Sequence, residues 1–421
     1  MCLLFFIFPV LMLLKNVKII YMKTQEIKVN TFSHRVLHFL LRRLFCFYTR
    51  VFLGFRSKDK YKITKGEPII IISNHQTDFD PLCIFPSFNK PIYPVATDNI
   101  FSGSGAIWLS MAGVIPKRKG ASDIKAAMTM KKVVEKGGSL LLFPEGNRTY
   151  AEFQFFIGDN LASFIKGLKT TIVFYNICGG TGVSPRFKNK QRKGKFVGKI
   201  VRVVKSDEYE QMTNEELMTV IRDNIRVYDS ESGNLYKSKK RAEYLERMFF
   251  VCPKCQSTQS LYSKNQYLYC NKCGLKVEYT EDLRLKSEDP DFKFTKMLDY
   301  RNYQKRFISN MEIKEDEVIF SDDNVKIITA DPYKKRTPIY SGKIELTDKQ
   351  LKYGNNAFDL KEISNSSVVS GRKLVFTYED RQYMLIGHMR FNPVKYAFIF
   401  NKLDTKMKEK NFDKYFNLKE D

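Results

Sequence analysis

The sequence predicts an α/β fold: a mainly parallel sheet flanked by helices, extended by smaller modules on either side. Three observations predict it. Apolar, β-branched runs alternate with helix-period segments between about residues 60 and 205, the pattern of buried parallel strands covered by helices. Residues 34–55 mix arginines with apolar residues at helical spacing. Beyond residue 250 come two cysteine pairs, then short alternating strands and one last helix. The expected order is an amphipathic helix at a membrane interface, the α/β core, a small cysteine ribbon, and a C-terminal β-barrel or sandwich capped by a helix.

Composition narrows the class. A chain of 421 residues exceeds one ordinary domain, and 43% hydrophobic residues suffice for packed cores. The net charge of +25 points to anionic partners: phosphate-rich ligands, an anionic membrane or nucleic acid. Of eight cysteines, four form CPKC and CNKC, while Cys2, Cys46, Cys83 and Cys178 stand alone in apolar surroundings. That usage fits a reducing compartment, with four thiols for a metal and four as small hydrophobes.

The segment 1–58 is read as membrane-associating. MCLLFFIFPVLMLL is shorter than the roughly 20 apolar residues a spanning helix needs, and it lacks the flanks of a secretory signal. It reads either as an inserted anchor or as sequence upstream of a start at Met22. In HRVLHFLLRRLFCFYTRVFLGF, Leu37, Leu40, Leu41, Leu44, Phe45, Tyr48, Val51 and Phe52 follow helical spacing among Arg35, Arg42, Arg43 and Arg50. A basic helix rich in Leu and Phe suits a membrane interface; the alternative is docking on the protein's own core.

The core is expected over 59–205. Strands are placed at Ile69–Ile72, Ile92–Ala96, Ser139–Phe143 and Thr171–Ile177, with helices at 123–136 and 160–169. Ser122 is the expected N-cap of the first helix, which closes on Gly137 and Gly138. A helical connector follows over 206–250, with a capping box at Thr213 and Glu216. The remaining expectations are a ribbon over 251–280, a linker over 281–311, a β domain over 312–405 and a charged tail over 406–421. In the β domain, Asn392 and Pro393 open the last helix.

Chemistry concentrates at strand ends. Ile69–Ile72 runs into SNHQTDFDP, where His75 and Asp80 can form a general base steadied by a carboxylate. Equally, Asp80 before Pro81 can be a helix N-cap and His75 a polar strand end. FPEGNRT, 143–149, follows another strand and offers Glu145, a flexible Gly146 and the planar fork of Arg148. GVIPKRKG, 113–120, places Lys117, Arg118 and Lys119 in a loop before a helix, which suits a phosphate. Each charge run alone is also what a solvated turn looks like.

HQTDFD, GVIPKRKG, FPEGNRT and TIVFYNICGG, in that order, resemble the glycerolipid acyltransferase family, the PlsC-like enzymes that include 1-acyl-sn-glycerol-3-phosphate acyltransferases. The resemblance covers about residues 60–205. It implies that His75 and Asp80 are catalytic and that Glu145, Gly146 and Arg148 help bind the acceptor. The family's second motif commonly ends in a single Arg; here PKRK replaces it, so Lys117, Arg118 and Lys119 are all candidates, and counting from Gly113 favours Lys119. The implied reaction moves an acyl group from acyl-CoA or acyl-ACP to the sn-2 hydroxyl of lysophosphatidic acid, with His75 as base. An alternative acceptor is another lysolipid or an amino-lipid.

C-x2-C-x14-C-x2-C, formed by Cys252, Cys255, Cys270 and Cys273, is the spacing of a zinc ribbon whose four thiolates fill a structural site. The basic stretch 185–199 is read as a solvated hairpin or as a contact for lipid head groups, coenzyme A or nucleic acid. The C-terminal pattern of strands and a helix resembles PH-like or GRAM-like domains. A zinc-ribbon nucleic-acid-binding protein or an inactive membrane scaffold would account for the charge and the cysteines, but not for NHQTDFD with FPEGNRT. The expected partners are therefore a lysophospholipid, an acyl thioester, acyl carrier protein and an anionic membrane surface, and not nucleic acid. The expected place is the cytoplasmic face of a membrane, peripheral or monotopic.

Overall fold

The computed structural model describes residues 27, 29–101, 109, 110, 112–118, 123–188, 190–331, 334 and 336–403. The apolar N-terminus, Met22, Lys119, Ser122 and the tail 406–421 lie outside the described residues.

The central sheet has seven strands: β1 Phe55–Ser57, β2 Ile69–Ser73, β3 Ile92–Thr97, β4 Ile115–Lys117, β5 Ser139–Leu142, β6 Thr171–Cys178 and β7 Phe196–Val204. Their order is β1-β7-β6-β2-β5-β3-β4. Strands β2 to β6 are parallel, β7 is antiparallel to β6, and β1 is parallel to β7. The mainly parallel sheet is thus present, with the short helix α5, Gly180–Val183, following β6 and with β7 starting at Phe196 inside the basic stretch 185–199.

Both faces of the sheet are covered, and the continuous apolar strands follow from that. Ile69 and Ile71 enter one core, Ile70 and Ile72 the other. Helices α3 Ile124–Glu135, α4 Asn160–Leu168 and α7 Asn214–Asn224 bury Val133, Ile165 and Ile221 in the second core. The first core is covered by the short helix α2, Asp80–Ile84, and by α1, Phe32–Phe52. Because β2 sits between β5 and β6 in parallel register, with Ile72 opposite Leu142 and Phe174, the carboxyl ends of all three open at one edge.

Helix α1 divides its apolar residues between two faces. Phe45 packs on Phe85 at 5.7 Å and Tyr48 on Phe79 at 6.2 Å. Val36, Phe39, Leu40, Phe47 and Val51 remain exposed, with Arg35, Arg43 and Arg50 among them. The helix therefore docks on the core and also presents an apolar, basic surface. Among the described residues no helix is long and apolar enough to cross a membrane.

Several sequence expectations are corrected. Asp123, not Ser122, caps α3, its Oδ1 accepting from Ala126 N at 3.0 Å. The connector is helical only in α6, Ser206–Glu210, and α7; residues 225–250 are irregular apart from two 3-10 turns, because Ser, Gly and Asn interrupt the helical period there. The capping box at Thr213 and Glu216 is present. The segment 281–311, expected to be a linker, contains a strand and the helix α8, Met297–Asn310. Its buried face includes Arg301, Gln304 and Lys305, and that polarity hid it from a hydropathy reading.

The C-terminal domain is one antiparallel sheet: β12 Phe320–Thr329, β13 Pro338–Leu346, β14 Gln350–Tyr353, β15 Asn356–Asp359, β16 Ile363–Ser370, β17 Lys373–Tyr378 and β18 Arg381–Ile386. First and last strands pair, so the order is β15-β14-β13-β12-β18-β17-β16. The sheet curls, bringing Phe358 of β15 within 5.2 Å of Phe376 and 4.9 Å of Tyr383. Helix α9, Pro393–Leu403, caps it, and Asn392 Oδ1 accepts from Lys395 N at 3.0 Å as its N-cap.

Candidate active site

Strand β2 leaves the sheet at Asn74. The Asn74 side chain takes over the pairing, its Nδ2 donating to Ile177 O and its Oδ1 accepting from Ile177 N, both at 2.8 Å. The chain is thereby free to turn at His75. His75 Nδ1 meets Asp80 Oδ2 at 2.9 Å, and the ring stacks on Phe143 with centroids 4.5 Å apart. The His75 side chain is 21% exposed and that of Asp80 is fully buried.

Asp80 is not the N-cap of α2; Phe79 occupies that position. The Asp80 carboxylate turns back into the loop instead. Oδ2 also accepts from Gln76 N at 2.6 Å and Thr77 N at 2.9 Å, and Oδ1 accepts from Thr77 Oγ1 at 2.6 Å. Three hydrogen bonds of this kind fix the position of the carboxylate. A buried carboxylate on Nδ1 holds the imidazole in the tautomer that leaves Nε2 as an acceptor, and it stabilises the imidazolium once formed.

The FPEGNRT loop lies beside it. Thr149 N donates to the His75 carbonyl at 2.9 Å, tying the two loops together. Glu145 is buried, and its Oε2 accepts from Phe155 N at 3.2 Å. Burial pushes its carboxyl up to about 8, with the Asp80 charge adding and the amides of Phe155 and His75 opposing. Burial thus favours the protonated form of Glu145 over the carboxylate. Gly146 has φ +60, and a Cβ there would meet nothing within 4 Å, so the backbone faces open space.

Arg148 is a brace. It is buried, with Nε donating to Gln76 O at 3.1 Å, Nη1 to Asp78 Oδ2 at 2.6 Å and Nη2 to Ser184 O at 3.1 Å. Lys117 ends β4 on the same edge, and Arg118 N donates to Asp123 Oδ2 at 2.8 Å. Lys119, the favoured phosphate contact, lies outside the described residues.

Sequence reasoning missed four contributors. Asn74 and Gln76 serve as backbone-like partners, Gln76 Oε1 accepting from Gly180 N at 2.8 Å. Asp229, from the connector, accepts from Gly179 N at 2.6 Å and from Thr181, holding the turn after β6. A Cβ on Gly180 would fall 2.7 Å from Gln76 Oε1, which explains the glycine there. Arg186 is buried, and burial beside Arg148 brings it down to about 9. The Gly-Gly pair after a strand was a usable signal for a tight turn; the two charged residues gave none, because their partners are distant in sequence.

Residues 54–177 match the family described as Acyltransferase. The match takes in His75, Asp80, Glu145 and Arg148 and ends within β6, so the cysteine ribbon and the C-terminal sheet lie beyond it. The matched segment is an acyltransferase-like α/β core. Among solved structures, the 1-acyl-sn-glycerophosphate (LPA) acyltransferase PlsC from Thermotoga maritima is similar, with a TM-score of 0.40 and 17% identity over 53% of this chain and 86% of that one. No curated protein matches the chain.

A second site lies outside the acyltransferase core. Strands β8 Leu261–Lys264, β9 Tyr267–Cys270, β10 Lys276–Tyr279 and β11 Leu285–Lys286 form an antiparallel sheet beside two cysteine knuckles. Each knuckle closes on a positive-φ residue after its second cysteine: Gln256 at 57° and Gly274 at 74°. The four Sγ atoms lie within 4.8 Å of one another, with Cys252 to Cys273 and Cys255 to Cys270 each 3.6 Å. Zn–S bonds of about 2.3 Å in a tetrahedron set neighbouring sulfurs about 3.8 Å apart, so the donor set fits zinc.

The basic stretch is tied down in part. Arg186 and Arg192 are buried, and Lys188 donates to Ser238 Oγ at 3.0 Å. Lys190, Lys193, Lys195 and Lys199 remain exposed.

Proposed function

We propose that this chain is an acyltransferase that acylates the sn-2 hydroxyl of 1-acylglycerol-3-phosphate from an acyl thioester, making phosphatidic acid. The observation that carries the reading is the His75–Asp80 pair, 2.9 Å apart, with the carboxylate fixed by two amides and a hydroxyl at the open edge of the sheet. His75 Nε2 takes the acceptor's hydroxyl proton as the oxygen attacks the thioester carbon; the C–S bond then breaks and the thiol leaves with a proton. Asp80 offsets the imidazolium charge. The thioester is already activated, so no acyl-enzyme is required. General-base catalysis of this kind contributes on the order of 100- to 10,000-fold.

Lys117, Arg118 and Lys119 meet the acceptor phosphate in this reading, with Glu145, the Gly146 backbone and Arg148 shaping the loop that receives it. The donor is acyl-CoA or acyl-ACP. Zinc on Cys252, Cys255, Cys270 and Cys273 is structural, because four thiolates leave no open position. The curled C-terminal sheet with its helix is the PH-like module, suited to docking lipid or protein. The exposed Phe39, Leu40 and Phe47 with Arg43 and Arg50 support peripheral attachment to the cytoplasmic face of an anionic membrane.

The test is acyl transfer by the purified chain on anionic vesicles, with lysophosphatidic acid and competing lysolipid and amino-lipid acceptors. Acyl-CoA and acyl-ACP run in parallel, and a Phe39→Glu/Phe47→Glu variant reports membrane attachment. Phosphatidic acid as the main product is expected. Preference for another acceptor would replace the substrate, and no transfer from either donor would remove the reading.

A further inference from the structure

Arg186 lies between β6 and β7, outside both motif loops, yet its guanidinium joins the FPEGNRT loop to the C-terminal sheet. Nη1 donates to the Arg148 carbonyl; Nη2 donates to Asn147 Oδ1 at 2.9 Å and to the Val368 carbonyl on β16. Asn147 Nδ2 closes the junction by donating to Ser367 Oγ, also on β16, at 3.0 Å. All these acceptors are neutral oxygens, drawn from two segments far apart in sequence. A buried cation without a carboxylate against it gains little from charge pairing; what its planar fork supplies is fixed geometry.

The contact is wedged in place. Arg247 Nη1 donates to the Phe187 carbonyl at 2.7 Å and its Nε to Met389 O at 2.8 Å, so the residue after Arg186 is also pinned to the C-terminal domain. A Cβ on Gly371, in the turn after β16, would lie 2.8 Å from the Arg186 carbonyl. Neither Arg186 nor β16 falls within the segment that matches the acyltransferase family.

We propose that the C-terminal β domain holds the FPEGNRT loop in its acceptor-binding shape, with Arg186 as the positioning residue that keys Asn147 and Arg148 to β16. The acceptor part of this inference rests on the function proposed above; the mechanical coupling does not. A loop so held contributes binding only while the distal domain is docked, which gives that domain a direct part in acceptor selection.

The test uses the full chain with Arg186→Lys, which keeps a long side chain with a single donor nitrogen but loses the planar fork, and Ser367→Ala, which removes one small acceptor. Amide hydrogen exchange is followed over residues 143–150, and KM and kcat are measured for acceptor and donor separately. The expected result for both variants is faster exchange at 143–150 with β2 and the ribbon unchanged, and a several-fold higher acceptor KM with donor KM and kcat unchanged. Unchanged exchange at 143–150 would overturn the coupling, as would exchange that rises equally throughout the chain. Local loosening with an unaltered acceptor KM would overturn the role in acceptor binding. If the unmodified chain transfers no acyl group, the proposed function fails, and the exchange comparison still decides the coupling.

Discussion

Arg148 reaches from the FPEGNRT loop to Asp78 of the HQTDFD loop, donating Nη1 to Oδ2 at 2.6 Å. The arginine is buried, whereas the Asp78 side chain is 73% exposed. A phosphate reaching Nη1 would have to displace this exposed Asp78 carboxylate. Asp78→Asn should lower KM for a phosphate-bearing acceptor by up to about tenfold, which corresponds to about 1.4 kcal/mol. A neutral-headgroup acceptor should show no change, and stability should shift by about 1 kcal/mol or less, as for a pair with one exposed member. Steady-state kinetics on the two acceptors check this; a higher KM for the phosphate acceptor alone would contradict it.

His75 and Asp80 should both be needed for turnover, while only full removal of the Asp80 side chain should also cost stability. His75→Ala should lower turnover on the order of 100- to 10,000-fold and leave the fold intact. Asp80→Asn should lose comparable activity with little loss of stability. Its amide oxygen can keep the Gln76 and Thr77 amides, and the Thr77 hydroxyl can rotate to accept from the new NH2. Asp80→Ala strands those buried amides, at a cost of about 1–3 kcal/mol each. Thermal melts beside rate measurements separate the three variants; an active Asp80→Asn enzyme would show that the charge is not needed.

Glu145 gives a pH signature. Its carboxyl is pushed up to about 8 in the fold by burial, against 4.5 when unperturbed. Between those values the native state holds a proton that the unfolded state has released, so stability falls as pH rises through the window. Glu145→Gln should remove that part of the slope, on the order of a few kcal/mol. Glu152, raised to about 7 by burial, leaves a smaller slope of the same sign. Near neutral pH Glu145→Gln mimics the protonated form and should retain most activity. Denaturant melts at pH 5, 7 and 9 test the slope; identical slopes in both proteins would place the carboxyl in a wetter site.

The cysteine site predicts one zinc per chain. Chelation, or Cys255→Ser with Cys273→Ser, should lower the melting temperature and expose the ribbon amides to exchange. The ribbon core is continuous with the main core through Tyr279, which packs on Phe187 at 5.9 Å, so the loss should spread into the acyltransferase core. Elemental analysis and thiol titration check it. Four freely titrating thiols and no bound metal would refute the assignment.

The parts of the fold written in apolar periodicity were legible in the sequence. Ile69–Ile72, SLLL and TIVFYNI are buried on both faces, so composition alone marked them as central strands. His75, Asp80, Glu145 and Arg148 were legible as candidates because strand-end loops carry chemistry. Their internal bonding was not, since Arg148 looks the same in sequence whether it meets a ligand or Asp78. Helix α8 escaped because its buried side is made of Arg301, Gln304 and Lys305. Asp229 and Arg186 escaped because their partners, Gly179 and Val368, lie far along the chain. The two faces of α1 were merged because Leu and Phe occur on both.

The exchange of bonds between Asn74 and Ile177 has a spectroscopic consequence. A side-chain amide that stands in for a peptide inside a sheet should exchange its protons with solvent as slowly as the strand amides around it. Its NH2 resonances then become a clock for the register of β2 against β6, one residue before the histidine, readable with no substrate, donor or membrane present.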